Sequence, residues 1–442
     1  MLSTGALDLT TKEKRTIGID LSTLFSTKAF LVLKTIEDWK AIGIFHPSVR
    51  TDTNEHPLSE PGIAALRRIT AIMQREPDLR KRCSQNEIAQ QVHSSYEGWI
   101  KQSLQPDADE FIKECRGSLL STVKARTYLV ILEGLELKDL DNLKLGMMSI
   151  HKADMTLLAN VQFGGNITRE WIERDFAKGL WLMGQSEASP EASLERFDHH
   201  TILTIGILAV CGAILYEGSI WRSHLRAGVS PHKQTMPTSI FRWDADGGDP
   251  TISRLCGEDQ ALPLDAALIT YLREQCFLDQ LVALPTVEDK TQLQQSIERA
   301  LYWFADAHGD RNTTMRFVKL WSCVECFFAF TEEDITEANA RGVATILTAA
   351  GYQVWKPEDY QKSKSRLKDL YRLRSRAVHR AEFGEIQLVD LRDLSQWVAW
   401  LVISMVALSG RGYRTLAQVK EQTDRLDGLL KKKTPKNTRE DA

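Results

Sequence analysis

The tract Tyr371-Arg372-Leu373-Arg374-Ser375-Arg376-Ala377-Val378-His379-Arg380 concentrates the chemistry of this chain. It places an arginine, a hydroxyl and a histidine within about one and a half helical turns. Arginine keeps its charge at any physiological pH, and its planar fork matches phosphate. Histidine is the one side chain that exchanges a proton near neutral pH unaided. A fixed cation beside a proton carrier suits cleavage of an RNA backbone. The neighbouring 2′-hydroxyl supplies the nucleophile there, so such a reaction calls for no metal and no cofactor.

The tract also lies in a local positive field. Lys362, Lys364, Arg366, Lys368, Arg372, Arg374, Arg376 and Arg380 face Asp369 as the one acid of that segment. The whole chain carries a formal net charge of -3, so any affinity for a polyanion has to come from this patch. A solvated helix face is the plainer reading of the same charges.

Around these residues the wording resembles the HEPN superfamily, whose signature is an arginine and a histidine four to six residues apart. A polar residue often follows the arginine. Arg374-Ser375-Arg376-Ala377-Val378-His379 has the four-residue gap. Tyr371, Arg374, Ser375, Val378 and His379 together resemble the Apea-like branch. An upstream segment, Arg316 to Phe328, is similar to the helix that precedes the motif there, a Leu-Trp stretch leading to a glutamate and then apolar residues. Here these are Leu320, Trp321, Glu325, Phe327 and Phe328. The similarity covers roughly residues 290–410.

The resemblance implies a metal-independent endoribonuclease acting as a toxin-like effector in antiviral defence, and a homodimer that pairs two motifs in one cleft. It implies His379 as the proton carrier and Arg374 as the group that stabilises charge on the phosphate. Products would be a 2′,3′-cyclic phosphate and a 5′-hydroxyl. Arg372 also falls within the family window, but Ser375 fills the polar slot after Arg374. Tyr371 and Ser375 are supporting residues, and Lys368, Arg372, Arg376 and Arg380 are expected on RNA phosphates. Arg374 and His379 leave a regular helix roughly 140° apart, so they do not share a face. The family's answer is a histidine near the helix end and a second copy across a two-fold axis. The alternative is a non-catalytic HEPN protein that binds nucleic acid, a nucleotide or another protein.

Glu325 sits among apolar residues, where an acid has to be paired. Its partner is expected to be a basic group of the motif helix, whether Glu325 is a supporting site residue that orients Arg374 or His379 or one half of an ion pair that fixes two helices. Other candidates read more plainly. Cys323 and Cys326 have redox or half-zinc spacing but no second pair, and suit buried packing. Asp198-His199-His200 lacks a further ligand, so no metal site is expected. Trp221-Arg222-Ser223-His224-Leu225-Arg226 could contact RNA, though a core or rim role fits as well. No Walker loop, dinucleotide fingerprint or Gly-x-Ser-x-Gly elbow is present.

The elements that must carry these groups form an α+β protein, mostly α. At 442 residues, 43% of them hydrophobic and 26% charged, the chain is long enough for two or three globular domains. We expect a mostly helical region over 1–125 and a mixed α+β region over 126–260. A HEPN-like helical bundle should follow over 261–432, with a disordered polar tail over 433–442. In the first, 62–74, 84–104 and 108–123 read as helices. In the second, 127–137 and 143–151 read as a strand pair, 155–163 and 179–184 as further strands, and 167–176 as a short helix. The apolar run 201–216 reads as a buried helix or strand pair, too short to cross a bilayer. In the third, helices are expected over 263–284, 287–308, 312–330, 335–350, 358–380, 389–409 and 413–432. Seven cysteines in no regular framework suggest a reducing compartment, and no signal-type apolar core follows Lys12, Lys14 and Arg15. A cytoplasmic protein is therefore expected, with a phage or host trigger sensed by the N-terminal part.

Overall fold

The structure, a computed structural model, describes residues 9–33, 35–42, 46–51, 54–163, 168–176, 179–215, 225–227, 239–242, 251–254, 261–310, 312–329, 334–380 and 386–433. The fold is α+β, mostly α, with a C-terminal helical bundle. The chain divides into two compact units. One holds Met1–Tyr128 with Gln185–Phe197, and the other Leu129–Gly184 with Asp198–Ala442.

The first unit contains α1 (Thr11–Leu24), α2 (Ile36–Ile42), the antiparallel pair β1 (Ser48–Arg50) and β2 (Glu55–Pro57), α3 (Glu60–Met73), α4 (Pro77–Arg82), α5 (Gln85–Lys101) and α6 (Ala108–Ser121). The helices expected over 62–74, 84–104 and 108–123 are α3, α5 and α6. No helix was expected at α1, yet its start is written in Thr10 and Glu13. The Thr10 hydroxyl accepts from the Glu13 N–H at 3.2 Å, and the Glu13 carboxylate accepts from the Thr10 N–H at 2.9 Å. Ile17, Leu21 and Leu24 then bury one face against Ile69, Met73, Tyr96 and Phe111.

Next along the chain, β3 (Lys124–Glu133), β4 (Leu135–Leu137), β5 (Asn142–Leu145) and β6 (Met148–Lys152) are followed by α7 (Arg169–Phe176), β7 (Leu180–Ala188) and α8 (Pro190–Leu215); the start of β3, the end of β7 and the first two turns of α8 belong to the first unit and the rest to the second. Then come β8 (Arg226–Ala227), β9 (Ser239–Arg242), β10 (Thr251–Arg254) and β11 (Leu262–Leu264). One sheet runs in the order β5-β6-β7-β3-β8. The stretches 127–137 and 143–151 are extended, as expected, but they do not pair with each other. The second turns back on itself at Gly146 (φ 62°) into the β5–β6 hairpin. The expected strand over 155–163 is instead a 3-10 turn at Met155–Leu158, with Asp154 capping the Thr156 N–H at 2.9 Å.

The bundle follows as α9 (Ala266–Cys276), α10 (Leu278–Ala283), α11 (Gln292–Gly309), α12 (Thr313–Phe328), α13 (Ile335–Ala349), α14 (Tyr360–Arg380), α15 (Leu388–Gly410) and α16 (Leu416–Lys433). The single helix expected over 263–284 is broken in two places. Pro263 belongs to β11, which pairs in parallel with β4, and Phe277 takes a left-handed backbone (φ 53°) between α9 and α10. Helix α15 is apolar on nearly every side because it packs against α11, α12 and α13 together. Among the described residues two helices, α8 and α15, are long and apolar enough to cross a membrane, and 72% and 61% of their most apolar stretches are buried inside the protein. That burial is what core helices of a globular fold show.

Helix α8 approaches α11 closely at Gly206, where an added Cβ would meet the Leu301 carbonyl oxygen at 2.3 Å. Backbone cannot yield as a flexible side chain can. Gly206→Ala is expected to destabilise the protein by about 2 kcal/mol. Gly98→Ala, where nothing lies within 4 Å, should be neutral or stabilising by up to ~1 kcal/mol. Thermal unfolding of the two variants compares them directly.

His308 is enclosed near the end of α11. Its Nε2 lies 3.1 Å from the Ser395 hydroxyl of α15, and its ring stacks on Phe304 at 4.6 Å. Burial, and then the charge of Arg316, hold its proton affinity well below the ordinary 6.5. The unfolded chain takes up that proton near pH 6.5 and the folded chain does not. Stability is therefore expected to fall as pH drops below about 6.5, and His308→Gln should flatten that part of a stability-against-pH curve.

Candidate functional site

Helices α12 and α14 bring the two quoted segments together. On α14 the residues Tyr360, Lys364, Leu367, Tyr371, Arg374 and Ala377 recur at intervals of three and four, and all but Arg374 are buried outright. They form the inward stripe. On α12, Asn312 accepts from the Met315 N–H at 3.0 Å and starts the helix where it was expected. Trp321 and Glu325, one turn apart, then face α14.

Glu325 is shared by two motif residues. The Tyr371 hydroxyl donates to Glu325 Oε1 at 2.7 Å, and Arg374 Nη2 donates to Glu325 Oε2 at 3.0 Å. Trp321 meets the Tyr371 ring edge to face at 5.0 Å, and the Arg374 guanidinium carbon lies 5.6 Å from that ring's centre. Burial, and then the bond to the Glu325 carboxylate, push the Tyr371 hydroxyl well above the usual tyrosine range. It therefore stays protonated and remains a donor. Asn339 of α13 is fully buried beside it and close enough to influence its ionisation, yet neither amide atom makes a well-formed hydrogen bond. The partner expected for Glu325 is thus present: it is Arg374, with Tyr371 as a second donor that sequence reasoning did not connect to it. Only 18% of the Arg374 side chain is exposed.

The outward face of α14 is different. Arg372 and His379 are exposed, and Ser375 and Arg376 are partly covered between them. Arg372 pairs with Asp369 one turn back, at 2.9 Å, with 67% of its own side chain exposed. His379 is the penultimate residue of the helix, which stays regular through Arg380. Arg374 and His379 are therefore five positions apart on an unbroken helix, and although His379 is near the helix end, as expected, no turn draws the two together before it.

The positive field is weaker than the segment alone suggests, because other helices supply acids. Lys364 and Lys368 both reach Glu337 of α13 at 2.5 Å. Burial acts to raise that carboxyl, but the two lysines prevail and hold it below the usual range. Arg366 donates to Asp390 of α15. Lys368, expected on RNA phosphate, is thus engaged within the bundle. Arg376 and Arg380 also have partners in the structure.

The remaining candidates resolve simply. His199 bonds Glu298 at 2.7 Å, and among the described residues no cluster of three or more His, Cys, Asp or Glu side chains is placed to hold a metal ion. Cys323 is buried, with its thiol 3.4 Å from the carbonyls of Ala300 and Lys319. Cys326 is more accessible, and burial pushes its thiol up to about 11. Residues 221–224 lie outside the described residues, and Arg226 belongs to β8. A groove of about 680 Å³ lies in the first unit between α3 and α5, bordered by Ile63, Leu66, Arg67 and His93, and no residue of α14 lines it.

Comparison with family models, with curated proteins and with solved structures found no match to this chain.

Proposed function

We propose that the chain is a metal-independent endoribonuclease of HEPN type, acting in the cytoplasm as a defence effector. One observation carries this reading. Residues 325, 371 and 374, quoted from two segments more than forty positions apart for their resemblance to that family, meet in a single hydrogen-bonded group. Chance similarity of two short strings gives no reason for their side chains to be partners.

In this reading His379 moves a proton to or from the attacking 2′-hydroxyl or the leaving 5′-oxygen. A guanidinium of α14 neutralises charge that develops on the phosphate. If Arg374 provides it, a second copy of the chain has to bring a histidine to it, because its own His379 leaves the helix on another side. A homodimer is then part of the site. Glu325 and Tyr371 hold Arg374 in one orientation.

The coverage of Arg374 favours a second reading, a HEPN protein that binds RNA or a nucleotide without cutting it. Purified full-length protein incubated with total cellular RNA separates the two. Shortened RNA supports the nuclease. Retained but intact RNA supports the binding protein, and neither binding nor cleavage removes both.

A further inference from the structure

We propose that a groove on the first unit is the docking site for a peptide segment of a partner protein, one that carries a carboxylate between apolar side chains. The inference concerns the first unit alone and stands whether or not the chain cuts RNA.

The groove extends beyond the part that lies between α3 and α5. That part holds about 680 Å³, and a second cavity of about 420 Å³ lies toward the start of α3. Ile63 and Arg67 line both, so the two join along the helix. Glu60 borders one end and Gln74 the other. Fourteen positions of helix separate them, about 21 Å. That length takes about six residues of extended chain. Both cavities are open clefts, whereas a small-molecule site encloses most of its ligand. A chain fits this shape better than a compact ligand does.

The lining states the chemistry of the occupant. Ile63, Leu66 and Ala89 give an apolar floor on one side of Arg67, and Leu31, Leu58 and Ala64 give one on the other. Neighbouring Arg68 is answered by Asp20, which accepts from its Nε at 3.1 Å. Arg67 makes no hydrogen bond or ion pair among the described residues. Glu60 is the one acid among the described lining residues, and it stands seven positions away, about 10 Å along the helix. A cation without a counter-charge, set between two apolar floors, is the complement of a carboxylate flanked by apolar groups. Thr70, Gln90 and Ser94 make no side-chain hydrogen bond among the described residues and are free to meet a peptide main chain. The walls are held in place. His93 Nε2 lies 3.0 Å from the Ser48 carbonyl oxygen, and His46 Nε2 lies 2.7 Å from that of Leu58. A groove formed in advance costs less to order on binding. RNA fits it poorly: a single cation makes no phosphate track, and no Phe, Tyr or Trp among the described lining residues offers a stacking face.

The test pans random dodecapeptides displayed on phage against the immobilised full-length protein. Enriched sequences are expected to share an Asp or Glu with apolar residues on both sides. A synthetic copy of one should bind Arg67→Gln roughly ten-fold or more weakly than the wild type. Ser94→Arg, which fills the groove, should abolish binding. Arg67 and Ser94 are exposed, so both variants should melt as the wild type does. Panning on Arg67→Glu should exchange the selected acid for a lysine or arginine, a change that a purely structural Arg67 would not produce. No enrichment, equal binding by Arg67→Gln, or acids still selected by Arg67→Glu overturns the inference. So does a wild-type dimer that Ser94→Arg splits into monomers, since the occupant is then a second copy of this chain. None of these results measures cleavage, so the nuclease reading is tested separately.

Discussion

His379→Ala is expected to reduce RNA cleavage by about 10³-fold while leaving the fold and most RNA binding intact. The size follows from what the side chain does in the proposed reaction. General acid or base transfer typically contributes 10²–10⁴-fold, and alanine can neither give nor take a proton. The selectivity follows from where it sits. His379 is exposed near the end of α14 and makes no hydrogen bond or ion pair among the described residues. Its removal therefore leaves no buried group unpaired, and the melting temperature should not move. Binding rests on cations and should persist. A gel assay for cleavage, a filter assay for binding and a thermal melt give the three readouts. A variant that cuts as fast as the wild type removes His379 from the chemistry.

Glu325→Leu is expected to have the largest effect on stability, a loss of roughly 3 kcal/mol. Removing one partner of a mostly covered ion pair leaves the other without its counter-charge, and such deletions typically cost 3–5 kcal/mol. The lower end applies because Glu325 and Arg374 keep 21% and 18% exposure. Arg374 is poorly placed to find a substitute, since its Nε is already buried without a hydrogen bond, and the Tyr371 hydroxyl would lose its acceptor as well. The double variant Glu325→Leu, Arg374→Met should recover much of the loss, because an apolar pair of similar size needs no counter-charge. Chemical denaturation of the single and double variants measures this. A single variant as stable as the wild type would show that the Glu325 group does not hold α12 to α14.

Most helices of the bundle were legible because their signals are local. Asn312 caps α12, Gly351 (φ 69°) follows α13, and Pro357 precedes α14. Apolar residues repeat at helical spacing in between. Helix α1 carries an equally local signal in Thr10 and Glu13. What sequence could not show depended on distant partners. Strand β3 has its neighbours in β7 and β8, more than forty residues on, and nothing within 124–133 names them. Phe277 takes a left-handed backbone that a bulky residue rarely adopts, so no turn was written there.

The candidate site divides the same way. Glu325 announced its need for a cation by sitting among apolar residues, and the structure supplies Arg374. The acids that engage the basic segment, Glu337 and Asp390, lie on α13 and α15 and could not be counted from 362–380 alone. The two faces of α14 were available in principle. Tyr360, Lys364, Leu367, Tyr371, Arg374 and Ala377 already repeat at three and four, which places Arg374 inward and Arg372 outward. The family spacing gives the distance between Arg374 and His379 along the chain, and the helix periodicity gives the direction.

The chemistry of the cut ends tests the central claim most directly. Wild-type protein, treated with EDTA and incubated with a defined RNA, should leave 2′,3′-cyclic phosphate and 5′-hydroxyl ends, and a 2′-deoxy sugar at the scissile position should block cleavage there. Ends bearing a 3′-hydroxyl and a 5′-phosphate, or cleavage that EDTA abolishes, would contradict attack by the 2′-hydroxyl between an arginine and a histidine of α14.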